Sequence, residues 1–79
     1  MYPKTMLEVE LNLMLADRAG IKRTSLDADG GIGLSQLTER LGFSEKDVGM
    51  LMINKKWAPL ESVMHNGDFV QLFPLVEGG

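Results

Sequence analysis

The sequence has no cysteine, one histidine, one tryptophan and one tyrosine in 79 residues. Without cysteine the chain cannot itself be a thiol catalyst, hold a disulfide framework or build a cysteine-based zinc site. The single histidine, His65, leaves little for a metal. It stands beside Asn66-Gly67-Asp68, a turn signal, and spacing assigns it neither a serine nucleophile nor a carboxylate. It reads as a solvated turn residue. Positive charge is also sparse: eight Lys and Arg stand against eleven Asp and Glu, for a net charge of −3. The nearest to a basic cluster are Lys22-Arg23 and Lys55-Lys56, so no nucleic-acid partner is expected. Long apolar runs are missing as well. Glu8 and Glu10 interrupt the apolar N-terminal stretch, which argues against a signal peptide and a membrane span and makes the cytoplasm the expected compartment. The length suits one domain, residues 1–79, with no room for a nucleotide-binding domain plus a substrate domain. A core of this size buries only about 60% of the unfolded surface, which disfavours a deep-pocket enzyme.

What is present is periodic. In "MLEVELNLML", Leu7, Val9, Leu11 and Leu13 alternate with Glu8, Glu10 and Asn12, the pattern of a half-buried strand. "ADRAGIKR" reads as a turn or short loop and "TSLDA" as a second, antiparallel strand. In "LSQLTERLGF", Leu34, Leu37 and Leu41 have helical spacing. Gly42 is placed as a left-handed stop, with Phe43 folding back on the last turn. "SEKD" fits a turn, or one helical turn capped by Ser44. "VGMLMIN" is a third strand, "NKKW" a tight reversal, and "WAPL" a short edge segment, because Pro59 cannot donate to a ladder. "DFVQLFPLV" is the last strand, with Val70 and Leu72 on one face and Phe69, Gln71 and Phe73 on the other. Strand, strand, helix, strand, short strand, strand is an α+β order. A small mixed sheet with one main helix packed across it, in this order, is a β-grasp.

Several local signals carry less than they suggest. "SLDADGGIGLSQ" imitates a calcium loop, but Ser25 stands where the first Asp belongs and Gln36 where the bidentate Glu belongs, and no helix enters it. "GGIG" lacks the Gly-Lys-Ser/Thr ending and the G-x-G-x-x-G spacing of a phosphate cradle. Both read as a glycine turn before a helix. The six methionines read as core filler rather than a soft-metal site. Trp57 has two open readings, a cap over the core edge or an exposed anchor for a partner.

The end of the sequence is different. Two consecutive glycines at a given place arise by chance about 0.5% of the time. Here they follow Phe73-Pro74-Leu75-Val76-Glu77. A terminal glycine carries a carboxylate that is ionised at neutral pH, and no side chain blocks approach to it. Two such residues can thread a narrow channel and present the carboxylate to the α-phosphate of a nucleotide. The resulting acyl-adenylate can be captured by a sulfur or nitrogen nucleophile. The last three residues reach at most about 10 Å, enough to enter a recessed active site. On this expectation Gly79 is the reacting residue, Gly78 gives slim access, and the enzyme is another protein.

"NGDFVQLFPLVEGG", read as G-D-x-V-x-L-x-P-x-V-x-G-G, resembles the ThiS/MoaD family of ubiquitin-like sulfur carriers. "MLMIN" ending at Asn54 resembles the family's apolar strand closing on Asn, and "ADRAG" its R-x-x-G stretch after the first strand. The resemblance implies a β-grasp with a flexible Gly-Gly tail. It implies that an adenylyltransferase resembling ubiquitin-activating enzymes charges Gly79 with ATP, the carrier itself binding no cofactor. A sulfur donor system then forms a thiocarboxylate, which delivers sulfur to an acceptor synthase subunit. Phe73-Pro74 and the length are closer to the small subunit of molybdopterin synthase than to the thiazole (thiamin) carriers. In that branch the apolar residue before the proline docks the partner, and Phe73 matches it. An apolar residue three after the strand-ending Asn also faces partners, and Trp57 matches it, which favours the anchor reading. Leu75, Val76 and Glu77 are the remaining expected partner contacts. Leu75 stands where the branch often has a second proline, Glu77 replaces a small residue, and Lys55 stands where many relatives have glycine. The alternatives are a thiazole-pathway carrier, a ubiquitin-like modifier joined to lysines, and an interaction domain with an inert tail.

Overall fold

The computed structural model describes residues 5–75. Five strands form one sheet: β1 (Leu7–Leu11), β2 (Arg23–Leu26), β3 (Val48–Ile53), β4 (Lys56–Ala58) and β5 (Phe69–Pro74). Their spatial order is β2-β1-β5-β3-β4. β1 and β5 run parallel at the centre, and every other pairing is antiparallel. The last strand is therefore inserted between the first and the third. Its inward residues Val70 and Leu72 are fully buried, whereas Phe69, Gln71 and Phe73 face the other way, as the alternation predicts.

Helix α2 (Leu34–Leu41) lays its apolar stripe on the inner face of the sheet. Leu34 and Leu37 are buried and Leu41 packs against the same cluster. Thr38 is the one buried polar residue among those described, and its Oγ1 donates to Ser35 O at 3.1 Å. The helix stops where the sequence places its stop. Gly42 has φ 90°, and the N–H groups of Gly42 and Phe43 both donate to Thr38 O, at 2.9 and 3.1 Å. A 3-10 turn follows at Glu45–Asp47, with Ser44 Oγ accepting from Lys46 N–H at 3.1 Å. The tight reversal at Asn54-Lys55 and the short edge strand that carries Trp57 are also present. The glycine turn before α2 has φ 83° at Gly30 and 86° at Gly31.

Three expectations are corrected. "ADRAGIKR" is not a loop: a second helix, α1 (Met14–Ala19), turns the chain between β1 and β2 and ends on Gly20 at φ 76°. Leu15 is fully buried, and Ala16 and Ala19 pack on the core, so a helical stripe of small residues was hidden behind the preceding alternation. Consequently Leu13 does not continue the buried face of β1. The strand ends at Leu11, and Leu13 is 74% exposed at φ 54°. The methionines also divide. Met64 is buried, but Met14 and Met50 are about half exposed, so they are not uniformly core filler. Among the described residues no helix is long and apolar enough to cross a membrane.

Candidate functional site

Among the described residues no helix covers the outer face of the sheet, and strand register decides what that face displays. Met50 lies opposite Phe73, Met52 opposite Trp57 on one side and Gln71 on the other. All of these point away from α2. Trp57 and Phe73 reach toward one another across β3, with ring centroids 5.6 Å apart and planes tilted by 51°. Such a contact holds both rings in place while leaving their faces open. Trp57 is 62% exposed and Met50 50%. Trp57 is therefore an exposed ring, not a cap on the core edge.

The other half of this face is polar. Ser25 Oγ donates to Glu8 Oε1 at 2.7 Å, and Gln71 Nε2 donates to Glu10 Oε1 at 3.0 Å. The Arg23 guanidinium stands 4.9 Å above the Phe69 ring. An apolar patch beside an ordered polar border is the usual anatomy of a protein-binding surface.

Phe73 also leads to the end of β5. Pro74 turns inward and is buried, and Leu75, 53% exposed, is the first residue past the strand. Its N–H donates to Asp47 O at 2.8 Å. The Asp47 carboxylate in turn lies 3.0 Å from Arg18 of α1. An apolar cleft of about 500 Å³, lined by Leu34, Val48, Gly49, Leu60 and Leu75, opens at this point. Phe73 and Trp57 thus meet on the outer face of the sheet, and Leu75 follows two residues after Phe73, past the end of the strand. The other expected site residues, Val76, Glu77, Gly78 and Gly79, lie outside the described residues.

Sequence reasoning missed Met50. "VGMLMI" has no alternation, so nothing in it says which methionine faces outward. It did notice Asn54, whose work is now visible. Asn54 Oδ1 accepts from Phe69 N–H at 2.9 Å, and its Nδ2 donates to Asp68 Oδ1 at 2.9 Å. The side chain ties the β3–β4 turn to the start of β5. His65 is exposed in its turn, with Nδ1 3.9 Å from Asp68 Oδ2. Among the described residues no three His, Asp or Glu side chains cluster as metal ligands would.

No protein-family model matches the sequence, and no curated protein matches it. Solved structures do. Two crystal structures of small archaeal modifier protein 1 from Haloferax volcanii superpose with TM-scores of 0.66 and 0.67, at 25% and 23% identity. They cover 94% and 92% of this chain, and 99% and 100% of theirs. A proposed molybdopterin converting factor subunit 1 from Pyrococcus furiosus superposes with a TM-score of 0.65 at 19% identity, covering 92% of this chain and all of that one (100%). The chain has the ubiquitin-like β-grasp fold of these neighbours, a fold of the ThiS/MoaD type.

Proposed function

We propose that this protein is a sulfur carrier whose reacting atom is a carboxylate oxygen of Gly79. The observation that carries the reading is that one strand serves two ends. β5 displays Phe73, paired with the exposed Trp57, and in the sequence Gly78-Gly79 stand only four and five residues after Pro74, the last residue of that strand. A partner that grips the ring pair also receives the glycines.

The chemistry needs nothing from a pocket in this chain. A partner enzyme of the ubiquitin-activating type binds ATP. A Gly79 carboxylate oxygen attacks the α-phosphorus, the new oxygen–phosphorus bond forms, and pyrophosphate leaves. Hydrosulfide from a sulfur donor system then attacks the acyl carbon, and AMP leaves. The thiocarboxylate sulfur attacks an electrophilic carbon of the acceptor held by a synthase subunit and displaces its leaving group. Water then cleaves the acyl–sulfur bond, which leaves the sulfur on the acceptor and returns the Gly79 carboxylate. Gly78 keeps the approach narrow. Leu75, Val76 and Glu77 contact the partner, and ATP belongs to the partner rather than to the carrier. The Phe73-Pro74 pair favours molybdopterin synthesis over thiazole synthesis as the destination.

A second reading has its own observation. The Haloferax volcanii protein is named a modifier, and it matches at 25% identity over 94% of this chain. In that reading a lysine amine of a target attacks the adenylate, AMP leaves and an isopeptide bond forms.

Intact mass separates the readings. The native protein is weighed first, to establish that Gly79 carries a free carboxylate. It is then incubated with an adenylyltransferase of the family, ATP and sulfide. Sulfur in place of one oxygen at Gly79 is the expected result. Lysine-linked adducts without that change would transfer the proposal to the modifier reading. A protein that keeps further residues beyond Gly79, or is never charged, overturns both.

A further inference from the structure

β3 breaks its alternation once. Val48 faces the core opposite Pro74 and Met50 faces outward opposite Phe73, so Gly49 is an extra residue set against two adjacent residues of β5. The bulge lets both Val48 and Leu51, three apart, point into the core. It also brings the β3 backbone against the point where β5 ends. A Cβ on Gly49 would stand 2.8 Å from Leu75 Cα, 3.0 Å from Pro74 O and 3.2 Å from Leu75 N. These are backbone atoms, which cannot rotate aside as a side chain can. Gly49 is not among the residues with positive φ, so its need for glycine is one of space alone. At the same place the Leu75 N–H is held by Asp47 O.

We propose that Gly49 is a positioning residue for the charging of Gly79. It leaves room for the Pro74–Leu75 backbone and so fixes where the chain departs from the sheet relative to the Trp57–Phe73 pair. The proposal rests on the Gly79 reading. An enzyme that grips the ring pair must receive the carboxylate at a set distance from it, and a displacement of about 1 Å can cost about a hundredfold in rate. Docking on the ring pair does not pass through Gly49.

The test is a split between kcat and KM in adenylation, read as ATP–pyrophosphate exchange with the full-length carrier as the varied substrate. Gly49→Ala is expected to lower kcat about tenfold or more while KM stays within about twofold. Gly33→Ala is the matched control: φ there is −91° and an added Cβ meets nothing within 4 Å. It should leave both constants unchanged. A Gly49→Ala protein that melts earlier but keeps wild-type kcat, measured below its transition, overturns the proposal. Should that variant not fold, amide exchange in the wild type decides. A Leu75 amide protected like those of β5 supports the anchored departure point, and one exchanging at the rate of a free peptide overturns it. Failure of the wild type to be charged would remove the Gly79 reading and this inference with it. A charged wild type with an equally charged Gly49→Ala removes this inference alone.

Discussion

Leu11 and Leu13 are two positions apart in one alternating run, and the structure gives them opposite fates. Leu11 is 3% exposed and belongs to the core. Leu13 is exposed, with φ 54° and ψ −130°, a region that side-chain-bearing residues rarely occupy. Asn12 causes the change: its Nδ2 and its N–H both donate to Leu72 O, at 3.0 and 3.2 Å, and pin the chain where it turns from β1 into α1. Two substitutions should therefore move stability in opposite directions. Leu11→Ala should cost about 2–5 kcal/mol in urea unfolding. Leu13→Gly should stabilise by about 1 kcal/mol, because it relieves about 1–3 kcal/mol of backbone strain while adding about 0.5–1 kcal/mol of unfolded-chain entropy. Equal melting of Leu11→Ala and wild type would mean that the phase of β1 is wrong. A destabilised Leu13→Gly would mean that the turn is not strained.

Among elements, the β3–β4 hairpin is the most informative. Ile53 pairs with Lys56, leaving the two-residue turn Asn54-Lys55 with φ 53° and 68°. Both central residues are left-handed, the turn type that suits the twist of a hairpin and favours Asn-Gly. Lys55 supplies a side chain where glycine would be relaxed. Lys55→Gly should raise stability by about 0.5–1 kcal/mol, the difference between the left-handed penalty and the entropy of a more flexible unfolded chain. Asn54→Ala should do the reverse by about 1–3 kcal/mol, since Phe69 N–H loses its acceptor and the left-handed turn loses its best-suited residue. Chemical denaturation measures both. α1 shows the limit of reading elements one at a time. Its six residues offer no side-chain cap at the start, and its stripe, Leu15 and Ala19, is too short to outweigh the alternation before it. Packing against the core supports it, with the Gly20 end and the Arg18–Asp47 ion pair.

For the whole molecule the question is what the bare face of the sheet is for. The apolar patch of Trp57, Phe73 and Met50 borders the ordered polar strip of Glu8, Glu10 and Arg23, and both share β5 or its neighbours with the exit at Leu75. Aromatic anchors of this kind dominate binding energy when a partner covers them. Trp57→Ala and Phe73→Ala should each weaken binding of the activating enzyme by tenfold or more, about 1.4 kcal/mol, while the fold persists. Trp57 is the sole tryptophan, so its fluorescence reports docking directly. Unchanged affinity in both variants would place the docking surface elsewhere. Deleting Gly79 gives the complementary outcome: an unaltered melting curve with charging abolished. Retained charging would sink the carrier mechanism.

The sequence by itself determined the alternating first and last strands, the helix Leu34–Leu41 with its glycine stop, the hairpin at Asn54 and the β-grasp order that follows from them. These are local: period, cap and turn are each written in a few neighbouring residues. It also singled out Trp57, a large apolar side chain at a hairpin where burial is hard to arrange, and, through the family resemblance of the Phe-Pro pair, Phe73. Tertiary structure decided the rest. α1 exists because the sheet gives Leu15 somewhere to be buried. Trp57 meets Phe73 because β5 is inserted beside β3. Gly49 matters because the end of another strand lies 2.8 Å from where its Cβ would be. Each depends on residues far apart in the chain coming to the same point, and local period and turn chemistry carry no record of that distance.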